Sequence, residues 1–114
     1  MNWSLQPSAV FSASPVVPVM VIKNLDDALP MAQALSAGGI NVFEITLRSA
    51  VALDAIKIIA DAMPDTLVGA GTVISPQQYD AAVAAGAKFI ISPGATVSLL
   101  KHAVQGSVPL MPGT

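Results

Sequence analysis

The sequence predicts an α/β fold in which strand–helix units follow one another along the chain. Five apolar, β-branched runs recur, and their starts lie 24, 26, 22 and 19 residues apart. Alanine-rich segments with helical spacing separate these runs, and no hairpin turn signal joins any two of them. Strands that are apolar on both faces are typical of a parallel sheet covered by helices. The runs start at Val16, Ile40, Thr66, Lys88 and Ser107.

Right-handed βαβ units can build an open, doubly wound sheet or close into a barrel. The short strands, short loops and nearly regular repeat of this chain favour the barrel. A (β/α)8 TIM barrel needs about 200 residues or more, so the 114 residues correspond to (βα)4 and a fifth strand. We predict the N-terminal half of such a barrel over residues 15–114. Residues 1–14, with Trp3 and Phe11, are expected to form a lead-in segment, either a short helix or an apolar flap.

The first two helices are predicted from helical spacing and from the residues that flank it. Asn24 is the expected N-cap of the first helix, which ends at Gly38-Gly39. Pro30 lies inside this pattern, so we expect a kink or a broken first turn there. Ser49 is the expected N-cap of the second helix, which ends at Pro64. The apolar positions are Leu25, Ala28, Ala32 and Leu35 in the first helix and, facing inward, Leu53, Ile56, Ile59 and Met63 in the second.

The third and fourth helices also have recognisable start and stop signals. Ser75 is the expected N-cap of the third helix, with Pro76 at the first helical position and Gln78 completing a capping box. Gly86 then ends this helix. Thr96 is the expected N-cap of the fourth helix. Its apolar positions are Leu99, Leu100, Ala103 and Val104, and Gly106 follows them.

The composition excludes several classes of function. Charged residues make up only 11% of the chain, and five basic residues cannot form a nucleic-acid footprint, so no nucleic-acid partner is expected. The absence of cysteine excludes disulfides, thiolate zinc sites and a thiol nucleophile within these residues. The single histidine, His102, excludes a multi-histidine metal centre and is expected on an outer helix as a surface or interface residue. We expect neither a metal nor a cofactor.

The distribution of apolar residues also bears on location. No run reaches the roughly 20 apolar residues that a membrane-spanning helix needs. The N-terminus lacks the basic segment and apolar region of a signal peptide. These features predict a soluble, cytoplasmic protein without a membrane partner.

The second strand carries the most informative pair of charges. Its segment NVFEITLRS, residues 41–49, contains Glu44, the only glutamate of the chain, and Arg48, the only arginine. Strand alternation separates Glu44 from the apolar Phe43 and Ile45, which are expected to face the helices, so Glu44 points into the barrel. Burial would raise the pKa of Glu44, which suits a group that takes and gives a proton. The structural alternative is a salt bridge between Glu44 and Arg48 that holds this strand in place.

Further candidates lie at the ends of later strands, where β/α barrels carry their chemistry. The segment GAGT, residues 69–72, contains G-x-G, but Ile74 occupies the third glycine position and excludes a dinucleotide-binding fingerprint. Its glycines are expected to let a substrate or a neighbouring side chain approach the backbone, while Thr72 offers a hydroxyl. The segments SPG, residues 92–94, and MPGT, residues 111–114, fit either turn chemistry or a place in the site.

Five motifs, in this order and spacing, resemble the 2-keto-3-deoxy-6-phosphogluconate (KDPG) / 4-hydroxy-2-oxoglutarate (KHG) aldolases. The motifs are PVVPVMVI, GGINVFEITLRS, VGAGTVISPQQ, AGAKFIISPG and VPLMPG. The resemblance extends from about residue 15 to the end of the chain. It implies a (β/α)8 barrel, a homotrimer and a class I, metal-free retro-aldol reaction that releases pyruvate from a keto-acid substrate. The second product would be glyceraldehyde 3-phosphate from KDPG or glyoxylate from KHG.

The resemblance implies roles for four residues, matched by their positions in these motifs. Glu44 resembles the acid/base that shuttles protons. Arg48 resembles the residue that binds the pyruvate carboxylate, a task that suits the planar guanidinium. Thr72 resembles a second ligand of that carboxylate, and Pro93 resembles a residue that lines the pocket.

The resemblance also implies a Schiff-base lysine on the sixth strand, and that lysine is not present in this chain. Lys57 and Lys101 are expected on helices, Lys88 at the opposite end of the barrel, and Lys23 on the rim. One alternative is therefore a non-catalytic half-barrel fragment. Another is a different phosphosugar barrel enzyme, such as a metal-dependent epimerase, which would need clustered histidines and carboxylates at its strand ends.

Overall fold

The chain folds around one parallel sheet of five strands whose spatial order follows the sequence. The structure is a computed structural model that describes residues 2–113; Met1 of the predicted lead-in segment and Thr114 of MPGT lie outside the described residues. The sequential parallel order confirms the predicted half of a β/α barrel. The strands are β1 (Val19–Met20), β2 (Val42–Thr46), β3 (Leu67–Gly71), β4 (Ile90–Ser92) and β5 (Leu110–Pro112).

One helix precedes the sheet and one lies between each pair of successive strands. They are α1 (Pro7–Ala13), α2 (Ala28–Ala37), α3 (Ala52–Ala62), α4 (Pro76–Ala85) and α5 (Val97–Gln105), with a 3-10 helix (Leu25–Asp27) directly before α2. None of the helices in residues 2–113 is long and apolar enough to cross a membrane.

The main hydrophobic core lies between the sheet and the helices that connect its strands. Phe43 and Ile45 of β2 are fully buried there, in the same cluster as Ile56 of α3 and Leu99 of α5. A smaller apolar cluster lies on the other face of the sheet, where Val10 of α1 packs with strand residues. Its other two buried members are Val42 and Phe89.

The lead-in segment forms a helix and is anchored to the rest of the chain at two places. Helix α1 contacts the residues at the amino ends of β2 and β4 through Val10. At the far side, the Trp3 indole N–H donates a hydrogen bond to the Ala103 carbonyl oxygen at 2.8 Å. The segment thus covers the amino-terminal end of the sheet, while Phe11 points away from it and is 61% exposed.

The predicted caps at Ser75 and Thr96 are confirmed. The Ser75 hydroxyl accepts a hydrogen bond from the Gln78 backbone N–H, and the Thr96 hydroxyl accepts one from the Leu99 N–H, each at 3.2 Å. The Gln78 side chain, however, accepts from the Ile74 N–H at 2.8 Å, so the reciprocal bond of a capping box is displaced by one residue. Gly86, which ends α4, has a φ of 107°, a conformation that favours glycine.

The start of the first inter-strand helix follows the predicted break. Asn24 caps the 3-10 helix rather than an α-helix, because its side chain accepts a hydrogen bond from the Asp26 N–H. The α-helix begins only at Ala28, which leaves Pro30 in its first turn, where no intrahelical partner is required of the missing N–H.

Two predictions about α3 are wrong: its N-cap at Ser49 and the inward position of Leu53. Ser49 does not cap α3, which starts at Ala52, because the Ser49 hydroxyl donates a hydrogen bond to the Ile22 carbonyl oxygen across the end of the sheet. Leu53 is 37% exposed, because the face of α3 that is buried consists of Ala52, Ala55, Ile56 and Ile59. Leu100 and Val104 are also exposed, because each is one position, about 100° of rotation, past the buried Leu99 and Ala103.

Candidate active site

The four predicted site residues line one cavity at the carboxyl-terminal ends of the strands. Its volume is about 290 Å³. The strand ends bring these residues together although they are up to 49 positions apart in the sequence. The lining residues are Val19, Val21, Glu44, Thr46, Arg48, Thr72, Ile91 and Pro93.

Glu44 points into this cavity, as strand alternation predicts. Its neighbours Phe43 and Ile45 are fully buried in the helix-side core, whereas Glu44 and Thr46 face the cavity. Glu44 is itself only 7% exposed. The same alternation along the strand could have identified Thr46 as a lining residue, and the Thr46 hydroxyl donates a hydrogen bond to the Met20 carbonyl oxygen at 3.3 Å.

Glu44 and Arg48 do not form the ion pair that was the structural alternative. Among the described residues, 2–113, the ion pairs are Lys57 with Asp61 and His102 with Asp80, and both lie on the helices. The acidic and the basic side chain of the cavity are therefore not joined to each other. Each is available to a molecule bound between them.

Burial raises the pKa of the Glu44 carboxyl. The positive charge of Arg48 acts in the opposite direction and lowers this pKa, but by less than burial raises it. A carboxyl with a raised pKa is a weaker acid and a stronger base than an exposed one, so it exchanges protons more readily near neutral pH.

Arg48 and Thr72 meet at the mouth of the cavity. The Arg48 Nε lies 3.5 Å from the Thr72 hydroxyl oxygen, at the outer limit of a hydrogen bond. Thr72 has a φ of 59°, which is the left-handed region that β-branched residues avoid. A cationic fork next to a hydroxyl is an arrangement that binds carboxylates and phosphates.

Pro93 lines the cavity at the end of β4, beside the end of β5. The Ser92 hydroxyl donates to the Gly94 carbonyl oxygen at 2.8 Å, and the Gly113 N–H donates to the Ser92 carbonyl oxygen at 2.7 Å. These bonds hold the segment SPG as a turn and also set Pro93 against the cavity. The segment thus forms a turn and also lines the cavity.

None of the four lysines lines the cavity. Lys23 is exposed, and Lys57 and Lys101 are exposed on the helices α3 and α5. The Lys88 ammonium donates to the carbonyl oxygens of Pro64 and Thr66, which precede β3 at the opposite end of the sheet. Residues 2–113 also contain no group of three or more His, Cys, Asp or Glu side chains that could hold a metal ion.

The parallel strand–helix fold and the strand-end cavity define a β/α-barrel protein with a buried carboxyl beside a cationic group. The particular family follows from the sequence, because residues 8–114 match the KDPG and KHG aldolase family. The chain belongs to that family.

Individual relatives agree with this assignment. The chain is 54% identical to the 2-dehydro-3-deoxy-phosphogluconate aldolase of Dickeya dadantii and 52% identical to the KHG/KDPG aldolase of Escherichia coli K12. Both matches cover 98% of this chain and 53% of the relative. The chain therefore spans about half the length of the curated relatives it matches.

Solved structures give the same result. The fold is similar, with a TM-score of 0.96 and 56% identity, to a KDPG aldolase from Legionella pneumophila that holds pyruvate as a covalent carbinolamine intermediate captured at low pH. A KDPG aldolase from Zymomonas mobilis with 3-phosphoglycerate matches with a TM-score of 0.89 and 48% identity. The matches cover 98% and 94% of this chain, and 54% and 51% of the respective solved chains.

We predict that Glu44→Gln raises the melting temperature at neutral pH, by an amount on the order of a few degrees. The pKa of Glu44 is raised in the folded chain above the ordinary value of 4.5 that applies to the unfolded chain. At a pH between the unfolded-state pKa and the folded-state pKa, the folded chain therefore binds more protons than the unfolded chain. The stabilisation from Glu44 is then complete below about pH 4.5 and is lost as the pH rises through the folded-state pKa. Glutamine keeps the size of the side chain without the charge.

Thermal denaturation of both proteins between about pH 4 and pH 8 measures this effect. The difference in melting temperature should shrink toward zero at the acidic end. A difference that stays constant across this range would contradict the assignment of the raised pKa to Glu44.

We predict that Thr72→Gly stabilises the fold by about 1 kcal/mol. A non-glycine residue in the left-handed region costs about 1–3 kcal/mol of folding free energy, which glycine would not incur. Glycine also increases the conformational entropy of the unfolded chain, and this offsets part of the stabilisation. Thr72→Ala is the matched control, because it removes the hydroxyl but keeps a Cβ in the same conformation. Denaturant unfolding of the three proteins should rank the Thr72→Gly variant as most stable; equal stability of the glycine and alanine variants would contradict strain at this position.

Proposed function

We propose that the protein containing these residues is a class I aldolase that releases pyruvate from KDPG, from KHG or from both. One observation carries the proposal: the buried carboxyl of Glu44 lines the same cavity as Arg48 and Thr72. Cleavage of a 2-keto-4-hydroxy acid needs a proton-transfer group within reach of a site that binds the carboxylate. Membership of the chain in the KDPG and KHG aldolase family supports the same reading.

Arg48 and Thr72 bind the carboxylate of the substrate in this proposal. The guanidinium offers parallel N–H donors to two carboxylate oxygens, and the Thr72 hydroxyl adds a third donor beside them. Arg48 lines the cavity and forms no ion pair with another of residues 2–113, so none of their carboxylates occupies its donors. Pro93 and Ile91 supply apolar contacts to the bound molecule.

Glu44 transfers protons in two steps. First its carboxylate takes the proton from the substrate hydroxyl at C4, the C3–C4 bond breaks, and the aldehyde leaves. The electron pair of that bond moves into the protonated imine held at C2, which becomes a neutral enamine. Glu44 then returns a proton to C3, which becomes the methyl group of the pyruvate imine, and water hydrolyses this imine to release pyruvate and the free amine. A group that serves as base and then as acid works best with a pKa near the working pH, and burial moves Glu44 in that direction.

The amine that forms the imine comes, in this proposal, from a lysine outside the 114 residues. A lysine nucleophile needs a lowered pKa, which desolvation or a nearby cation provides. No lysine of residues 2–113 lines the cavity, and Lys23 is exposed to water. The carbinolamine of the Legionella relative is an adduct of pyruvate with an amine, which supports imine chemistry in this family.

We extend the proposal to a homotrimer in the cytoplasm that is built from complete barrels. Residues 15–114 are the N-terminal half of that barrel, and residues 1–14 are its lead-in segment. One matching solved chain belongs to a designed protein cage made by fusing symmetric oligomeric domains, which supports self-association of this fold. The exposed Val97, Leu100 and Val104 of α5 offer an apolar surface of the kind that subunit contacts cover.

Borohydride trapping tests this function directly. With pyruvate present, the full-length protein should acquire a stable adduct at a lysine beyond residue 114, and the 114-residue polypeptide should acquire none. Mass spectrometry of the reduced protein locates the modified residue. Substantial labelling of Lys23 would overturn the placement of the nucleophile. Failure of the full-length protein to release pyruvate from either substrate, or loss of that activity to a chelator, would overturn the aldolase proposal and favour a metal-dependent barrel enzyme.

We predict different kinetic defects for Glu44→Gln and Arg48→Ala in the full-length protein. Loss of the proton carrier should lower kcat by at least about 100-fold, while trapping with pyruvate survives in part. Loss of the guanidinium should mainly raise KM, because it removes binding of the carboxylate. Steady-state pyruvate release measures both. Unchanged kcat in Glu44→Gln would leave Glu44 without a catalytic role.

A further inference from the structure

We infer that Gly71 is a positioning residue for Glu44: the missing side chain of Gly71 makes the space in which the Glu44 carboxyl lies. The geometric part of this inference is independent of the activity, and its kinetic consequence rests on the proposed function. The sequence suggested that the glycines of GAGT admit a substrate or a neighbouring side chain, and the structure favours the neighbouring side chain.

Gly71 lies so close to the Glu44 side chain that no space remains for a Cβ. A Cβ built on Gly71 would lie 2.7 Å from Cδ and 2.8 Å from Cγ of Glu44, and closer still to Oε1. Real Cβ atoms do not approach other atoms within 3.0 Å. Cγ, Cδ and Oε1 all lie within this limit, and rotation of the carboxyl group about the Cγ–Cδ bond moves neither Cγ nor Cδ, so that rotation alone would not make room.

The backbone conformation does not require glycine at this position. Gly71 ends the regular strand β3, and its φ is not among the positive values found in this chain. At such a position alanine would ordinarily be accepted and even stabilising, because it restricts the unfolded chain. Space is therefore the property that distinguishes glycine from alanine here.

Strand register explains why the space is on the right side. Glu44 is paired with Gly69, and Thr46 with Gly71, so both glycines share the cavity face of the sheet with Glu44. The two glycines open a groove along β3. Glu44 occupies its upper part over Gly71, while the Phe89 ring occupies its lower part, where a Cβ on Gly69 would lie within 2.5 Å of Cδ2 and Cζ.

This packing has two consequences for Glu44. The backbone of β3 covers one side of the carboxyl and contributes to the burial that leaves it 7% exposed. Contact along Cγ, Cδ and Oε1 also limits the side chain to few rotamers, which holds the proton-transfer group in one place. Arg48 is the charged group that acts on Glu44 from the neighbouring loop.

Gly71→Ala in the full-length protein tests the inference, with Gly69→Ala as the matched control. Both variants add one methyl group to the same face of β3, but the atoms nearest to it belong to Glu44 in the first and to Phe89 in the second. The carboxyl carbon of Glu44, assigned by its loss in Glu44→Gln, is titrated by ¹³C NMR. We expect Gly71→Ala to displace the carboxyl toward water, to shift its pKa down toward the ordinary value, and to lower kcat at least about tenfold through misplaced proton transfer. Gly69→Ala should leave the pKa of Glu44 unchanged.

A stability measurement keeps the test decisive if Gly71→Ala folds poorly. Shortening the partner removes the clash, so Glu44→Ala/Gly71→Ala should regain most of the melting temperature that Gly71→Ala loses. The corresponding Glu44→Ala/Gly69→Ala variant should regain little, because its clash is with Phe89. The inference is overturned if the pKa of Glu44 is the same in Gly71→Ala and the parent, or if Glu44→Ala rescues Gly71→Ala no better than it rescues Gly69→Ala. Neither readout requires aldolase activity, so these results stand whether or not pyruvate is released.

Discussion

The parallel pairing of β2 with β3 is the interaction on which the candidate site depends. The two strands pair over five residues, and their register sets Glu44 opposite Gly69 and Thr46 opposite Gly71. The long acidic side chain of β2 therefore lies against positions of β3 that have no side chain. A slip of one residue would turn Glu44 toward the helices and Phe43 into the cavity. The complete burial of Phe43 in the helix-side core opposes that slip, so the core of the fold holds the site in register.

The site combines two features that each cost stability. A carboxyl in a largely buried position is penalised unless it is protonated or bound to a partner, and Glu44 has no ion pair among residues 2–113. Thr72 is held in a backbone conformation that β-branched residues avoid. These costs are concentrated within one cavity, while the core between the sheet and the helices is formed by apolar side chains. Such concentration of strain and unpaired charge is typical of sites that bind or transform a ligand.

The two ends of the half-barrel differ in chemistry. At the amino-terminal end, α1 closes the inner face with the apolar contacts of Val10 and Phe89. At the carboxyl-terminal end, the same inner face opens into a cavity with an acid, a guanidinium and a hydroxyl. This asymmetry is general in β/α barrels, in which one end stabilises and the other reacts. The described residues thus hold the proposed proton-transfer and carboxylate-binding groups, and the imine-forming lysine is proposed to lie in the other half.

Local patterns in the sequence determined the elements, the caps at Ser75 and Thr96, and the inward direction of Glu44. Each of these depends on neighbours a few residues away, through periodicity, capping or strand alternation. Tertiary structure decided what depends on partners from other strands. It directed the Ser49 hydroxyl to the Ile22 carbonyl oxygen instead of to a helix end, and it kept Glu44 and Arg48 from pairing. It also set the Glu44 carboxyl against Gly71, 27 residues along the chain, because only the register of two adjacent strands fixes which backbone lies beneath a side chain.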